Sequence, residues 1–289
     1  MQEIHLRMKD IGTAGVLTVR PDDPVDRAIG LMDERGIRHL PVVGPSGVPV
    51  GMLSDRDLLR AVGGLLSDER RDFAGGPTLH GPLRVEEIMS RPAFVLAPDD
   101  PVEVGVRLML SRKIGAIPLL NEERLSGIVT ETDYLRCYTS ENNWPRGSWR
   151  FRKAADVAHA MVHTLRPRDT LAKALKLLRS EGIRHVPIVA GEAVVGIVSD
   201  RDVRRALGRL PLARQWEGPA GTHGVIDARL EEIMTQDVVT AEPGEALAGV
   251  ADRMVTSKIG ALPVLDDGQL VGIITETDLL EVFLAACEL

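Results

Sequence analysis

Val50-Gly51-Met52-Leu53-Ser54-Asp55-Arg56-Asp57 is a short apolar run closed by a hydroxyl, with a carboxylate three residues further on. Versions of it return as SGIVTETD at Ser126–Asp133, VGIVSDRD at Val195–Asp202 and VGIITETD at Val271–Asp278. The offset is 199 − 54 = 145 between the SDRD copies and 275 − 130 = 145 between the TETD copies. Inside each half, Asp57 to Asp133 and Asp202 to Asp278 are both 76 apart. GIRHLPVV (Gly36–Val43) pairs in the same way with GIRHVPIV (Gly182–Val189), and KIGAIPLL (Lys113–Leu120) with KIGALPVL (Lys258–Leu265). A fixed period of this kind marks a duplicated half that is itself a repeat. The chain therefore reads as four units in two halves.

Each unit follows one pattern. A short extended run such as VLTV (Val16–Val19) or AFVL (Ala93–Leu96) leads into a Pro/Asp stretch, RPDDP or APDDP. Val25, Ile29 and Met32 then share one helical face, as do Val102, Val106 and Met109, and Leu171, Leu175 and Leu178. Asp23 and Asp100, each before a proline, are expected N-caps. Two apolar strands follow, around Leu40–Val43 and Val50–Leu53 in the first unit, and a closing helix opens at the Ser/Thr motif. The predicted order is β-α-β-β-α, an α/β (α+β) class, with units at 1–66, 84–140, 154–209 and 229–289. Module one is then 1–140 and module two 154–289. The connections Ser67–Leu83 and Arg209–Ala228 read as exposed loops, each with a His-Gly pair at His80 or His223. Ser140–Lys153, with Trp144, Trp149 and Phe151, reads as a linker whose aromatics pack back, in preference to a nucleic-acid-stacking segment.

Composition narrows the function. The 289 residues are 44% hydrophobic but 3% aromatic, so the cores rest on aliphatic side chains. A net charge of −7 argues against a polyanion-binding surface, and no nucleic-acid partner is expected. Cys137 and Cys287 occupy non-equivalent positions, which disfavours a disulfide framework or a cysteine zinc site. MQEIHLRMKD has no apolar signal core, and no run approaches the ~18 apolar residues of a membrane span, so a cytoplasmic protein is expected. His80 and His223 lack companions at ligand spacing, so no metal site is expected; no nucleophile–base pair stands out either. The expectation is a protein with no catalytic residues.

The h-x-T-V-like first strand, the GIRHLPVV strand and the G-h-h-[ST]-x-x-D motif before the last helix together resemble the cystathionine β-synthase (CBS) domain family. Any one of these motifs is common alone; four copies in order are not. The resemblance implies two Bateman modules, each a pair of units, closing an intramolecular flat disk like the γ subunit of AMP-activated protein kinase. It implies regulatory binding of an adenosine-containing ligand between paired units, reported to a separate regulated protein. A monomeric disk and a homodimer both fit.

The chemistry can be placed on residues. A carboxylate accepts both hydroxyls of a ribose, the role expected of Asp57, Asp133, Asp202 and Asp278. Ser54, Thr130, Ser199 and Thr275 stand at helix starts, where free N–H groups favour a phosphate. The same spacing is also close to a capping box. The pattern alone favours the cap; the fourfold repeat and the resemblance to the family reverse that, and Asp in all four copies, short for a box, agrees with ribose. Arg38, His39, Arg56, Arg184, His185 and Arg201 occur in the odd units only, and guanidinium matches phosphate. The resemblance supports Arg38 and Arg184 in this role. Phosphorylated nucleotides (AMP, ADP or ATP, with Mg²⁺ admitted beside ATP) are therefore expected to bind best at the odd clefts. An odd-unit arginine serving an even-unit ribose is the variant of this scheme. Adenine candidates are Thr18, Ile37, Leu40 and Pro41, with Leu165, Ile183, Val186 and Pro187, each apolar one equally at home in a core. The alternative to a nucleotide sensor is a scaffold or oligomerisation module whose motifs only cap helices.

Overall fold

The computed structural model describes residues 6–66, 83–139, 152–207 and 227–287. The expectations for His80, His223, Trp144, Trp149 and Phe151 lie outside them. Unit one comprises α1 (Met8–Ile11), α2 (Val25–Arg35), β1 (His39–Val43), β2 (Pro49–Ser54) and α3 (Asp55–Leu66). Unit two has α4 (Val102–Arg112), β3 (Ala116–Asn121), β4 (Arg124–Thr130) and α5 (Glu131–Thr139). Unit three has α6 (Leu171–Glu181), β5 (His185–Ala190), β6 (Ala193–Ser199) and α7 (Asp200–Leu207). Unit four has α8 (Leu247–Ser257), β7 (Ala261–Asp266), β8 (Gln269–Thr275) and α9 (Glu276–Cys287).

The two strands of each unit pair antiparallel, with Leu40 opposite Leu53 and Val186 opposite Val198. In module two a contact at Ala193–Gln269 joins both hairpins in the order β5-β6-β8-β7. The predicted first strand shrinks to a single parallel bridge in every unit, Val19 to Val42 and Leu165 to Ile188 among them. The cause is local. The Asp23 carboxylate accepts the Arg20 N–H at 2.7 Å, and Asp100 accepts that of Ala97 at 2.7 Å, so the chain turns as soon as the bridge is made. The same bonds correct the capping expectation. Pro24 and Pro101 occupy the N-cap positions, and the aspartates hold the preceding turn instead.

The segment leading into each unit packs on the other unit of its module. Thr13 bridges Ile128, and Met8 is fully buried in the core of unit two. Ser90 bridges Met52 in return, while His159 bridges Ile273 and Thr235 bridges Ile197. This exchange ties the units of a module together through backbone bonds.

The modules meet inside one chain. Helix α3 packs on α7, α5 on α8 and α4 on α9, so unit one faces unit three and unit two faces unit four. Units two and four share a single core, in which the Tyr134 and Phe283 rings meet edge-on at 5.3 Å. The other contact is lopsided. Arg204 of unit three, 4% exposed, reaches Asp33 at 2.5 Å and Asp55 at 2.6 Å across the boundary. At its repeat position unit one has Leu59, buried instead among the apolar residues of unit three.

Candidate functional site

All four hydroxyl–carboxylate motifs adopt one geometry. Strand β2, β4, β6 or β8 delivers the hydroxyl residue, and the next helix begins at once. Asp57 accepts the Ser54 N–H at 2.8 Å and its hydroxyl at 2.5 Å. Asp133 takes the same pair from Thr130, Asp202 from Ser199 and Asp278 from Thr275, at 2.6–2.9 Å. These are capping-box contacts. Asp is therefore long enough to close the box, against the expectation that it is too short. One oxygen does the capping, and in Asp57, Asp133 and Asp278, which are only 3–5% exposed, the other turns outward from the cap to a second partner. Asp57 Oδ1 accepts the Ser90 hydroxyl at 2.7 Å, Asp133 Oδ1 meets Arg136 at 2.5 Å, and Asp278 Oδ1 lies 2.8 Å from His159 Nε2.

A cavity of about 930 Å³ runs between the modules. Ser54 and Asp57 of unit one line it, and so do Thr275 and Asp278 of unit four. One odd and one even motif thus open into the same space. Arg38, His39, Arg56, Arg184 and His185 line the stretch between them. Ser199, Arg201, Asp202, Thr130 and Asp133 are not among its lining residues. Of the eight adenine candidates, Ile183 alone lines it. Leu40 and Val186 have no exposed surface and take the core role, and Leu165, 5% exposed, joins them. Thr18 and Ile37 are partly exposed, and Pro41 and Pro187 are buried. Apolar lining comes instead from several units, with Pro92, Phe94, Met109 and Ile114 of unit two and its leading segment among it.

Sequence reasoning missed the partners of the two central arginines. Arg184 Nη1 and Nη2 donate to Glu131 at 2.5 and 2.9 Å, and Nη2 also reaches Thr277 at 3.2 Å. Arg38 Nη2 donates to both oxygens of Glu276 at 2.9 and 2.8 Å. Each pair joins opposite modules. The SDRD/TETD alternation is the signal that could have found them, because Glu follows Thr only in the even units, opposite odd-unit arginines. The even-unit Gly also has a reason. A Cβ on Gly115 would stand 3.0 Å from both Glu131 and His39, and one on Gly260 2.9 Å from both Glu276 and His185.

Burial, reinforced by Arg38 and Arg184, pushes the His39 imidazole down to about 3, and burial with Arg184 does the same to His185. Burial pushes the Asp55 carboxyl up to about 6, against the pull of Arg204. A histidine held neutral in the fold protonates in the unfolded chain below about 6.5. Stability is thus lost as pH falls from there toward 3. Asp55 acts oppositely between about 6 and 3.8, and so do Asp133 and Asp200, whose carboxyls burial also raises. The share of the imidazoles is read by difference: from pH 7 to pH 5 the urea midpoint of the wild type should lose more, or gain less, than that of His39→Gln with His185→Gln. Equal changes in the two proteins would contradict the assignment.

Among the described residues, no group of three or more His, Cys, Asp or Glu is placed to hold a metal ion. No helix among them is long and apolar enough to cross a membrane.

The CBS domain family model matches residues 8–64, 85–140, 154–209 and 230–285. MJ1225 of Methanocaldococcus jannaschii is 28% identical over 285 residues, covering 96% of this chain and 98% of that one. Its crystal structure, described as that of a candidate archaeal homologue of γ-AMPK, superposes with a TM-score of 0.80 over 96% of this chain and all of the other. An uncharacterised protein of the ribosomal RNA operon of Thermofilum pendens is 31% identical over 254 residues, 86% of this chain and 81% of its own. A conserved protein of Pyrococcus horikoshii shares the fold at TM-score 0.62 and 23% identity, covering 96% of this chain and all of its own.

Proposed function

The chain belongs to the CBS domain family, and on that premise we propose that it is a non-catalytic sensor of adenine nucleotides. AMP, ADP or ATP, the last with Mg²⁺, occupies the intermodule cavity, and a change in module geometry is read by a separate regulated protein. One observation carries this reading: two hydroxyl–carboxylate motifs at helix starts open into one cavity lined by arginines. A ribose diol suits the outward oxygen of Asp57 or Asp278, and phosphate suits the guanidiniums between them. The description of MJ1225 as a γ-AMPK homologue adds support. A ligand moves the modules only through unequal affinity for their arrangements, which the cross-module Arg–Glu pairs make a matter of charge.

The capping boxes favour a second reading, a scaffold whose motifs serve the helices alone. Melting curves with adenosine, AMP and ATP, followed by calorimetry, separate the two. Ligand-dependent stabilisation with a stoichiometry near one or two per chain is expected. No response to any adenosyl compound at millimolar concentration would leave the scaffold. The cavity also changes how the odd–even preference is tested. Asp57→Ala against Asp278→Ala compares an odd with an even motif inside one space.

A further inference from the structure

The cavity is balanced in charge before any ligand arrives. Arg38, Arg56, Arg60, Arg91, Arg112, Lys113 and Arg184 line it, against the carboxylates of Asp55, Asp57, Glu131, Asp200, Asp278 and Glu281. Glu276 joins the second group through its bond to Arg38. His39 and His185 are held neutral by burial. The carboxylates of the two central pairs lie behind their arginines. The Arg38 side chain is 21% exposed against 2% for Glu276, and Arg184 is 17% exposed against 6% for Glu131. An entering anion therefore meets guanidinium edges already matched by fixed negative charge.

We propose that Glu131 and Glu276 are specificity-determining residues that tune the cavity toward adenosyl ligands of low negative charge, nucleoside monophosphates above triphosphates. The inference rests on the sensor reading and adds the charge of its ligand. The physical ground is electrostatic. In a partly desolvated site each ligand charge is felt at an effective dielectric far below that of water. A monophosphate needs two compensating charges, which Arg38 and Arg184 can share between ligand and glutamate. A triphosphate brings further charge to a centre with no surplus cation, and repels both buried carboxylates. Thr132 and Thr277, which touch Glu276 at 2.9 Å and Arg184 at 3.2 Å, hold the pairs without adding charge.

Calorimetry on the full chain with adenosine, AMP and magnesium-free ATP tests this. Wild type should bind AMP at least about tenfold more tightly than ATP. Glu131→Gln, and the double variant with Glu276→Gln, should shrink or reverse that ratio by about tenfold and leave adenosine affinity unchanged. Where a variant folds poorly, inorganic phosphate is the second probe. It should raise the melting temperature of Glu131→Gln by more than that of wild type, since it replaces the lost counter-anion. ATP binding as tightly as AMP, a ratio insensitive to Glu131, or a variant indifferent to phosphate would each overturn the inference. Binding of all three ligands without an AMP preference removes this inference alone. Failure of all three to bind wild type removes the sensor reading and this inference with it.

Discussion

Arg184→Met is expected to lower the free energy of unfolding by about 3–5 kcal/mol, the usual consequence of removing one member of a buried ion pair. Methionine fills the aliphatic stem but leaves the Glu131 carboxylate, 6% exposed, without its counter-charge at the module boundary. Replacing both residues, Arg184→Met with Glu131→Leu, should recover most of the loss, because an apolar pair has no charge to desolvate. Urea denaturation of the three proteins reads this directly. The deficit should also depend on pH. In the wild type, burial pushes the Glu131 carboxyl up, but the Arg184 guanidinium, joined by Arg38 and Arg56, more than offsets it and holds the carboxyl below its ordinary value. That contribution is present above the unfolded carboxyl value and is lost as pH falls. In the variant only Arg38 and Arg56 still oppose burial, so Glu131 takes up a proton more readily and the deficit shrinks toward pH 5. A single-residue loss that the double replacement fails to repair would show that the pair is not the interaction concerned.

Asp57→Ala carries the largest expected effect on binding, a loss of about 100-fold or more in affinity for an adenosyl ligand. A carboxylate that accepts both ribose hydroxyls makes two charge-assisted hydrogen bonds, each contributing about 1.5–3 kcal/mol. The ribose would take the place of the Ser90 hydroxyl on Oδ1. Alanine also removes the capping contact to Ser54, which costs about 0.5–2 kcal/mol of stability. Asp57→Asn separates the two effects. Its carbonyl oxygen can still accept the Ser54 N–H, while the charge and the second acceptor are gone. Asn should keep most of the stability and lose most of the binding. If Asn binds like wild type, the carboxylate serves the helix alone.

The four repeats, the paired strands and the face of each helix were legible in the sequence because they depend on local periodicity and on repeats that can be laid side by side. What escaped depends on contacts far apart along the chain. Glu276 lies 238 residues from Arg38, and Glu131 lies 53 from Arg184. No spacing within one unit could join them. Seven of the eight adenine candidates lie off the cavity lining for a related reason. Leu40 and Val186 were placed beside the ribose motif of their own unit, but the pleat turns them into the core. The cavity takes apolar lining from the other unit of the module, its exchanged leading segment and module two. That exchange also brings Ser90 and His159 onto Asp57 and Asp278, from isolated bridges in the segments that lead into units two and three. The aspartate argument misjudged geometry. At a helix start the backbone curls far enough that a side chain one carbon shorter than Glu still reaches the cap, in all four copies. The pattern alone could not reveal that one oxygen does this while the other stays outward.

Crystals grown with AMP test the central claim most directly. The account predicts a ribose whose two hydroxyls lie within hydrogen-bond distance of the outward oxygen of Asp57 or Asp278, with the phosphate against Arg38 or Arg184. AMP bound with its ribose away from all four motif aspartates, or a cavity that stays empty at millimolar AMP, would contradict it.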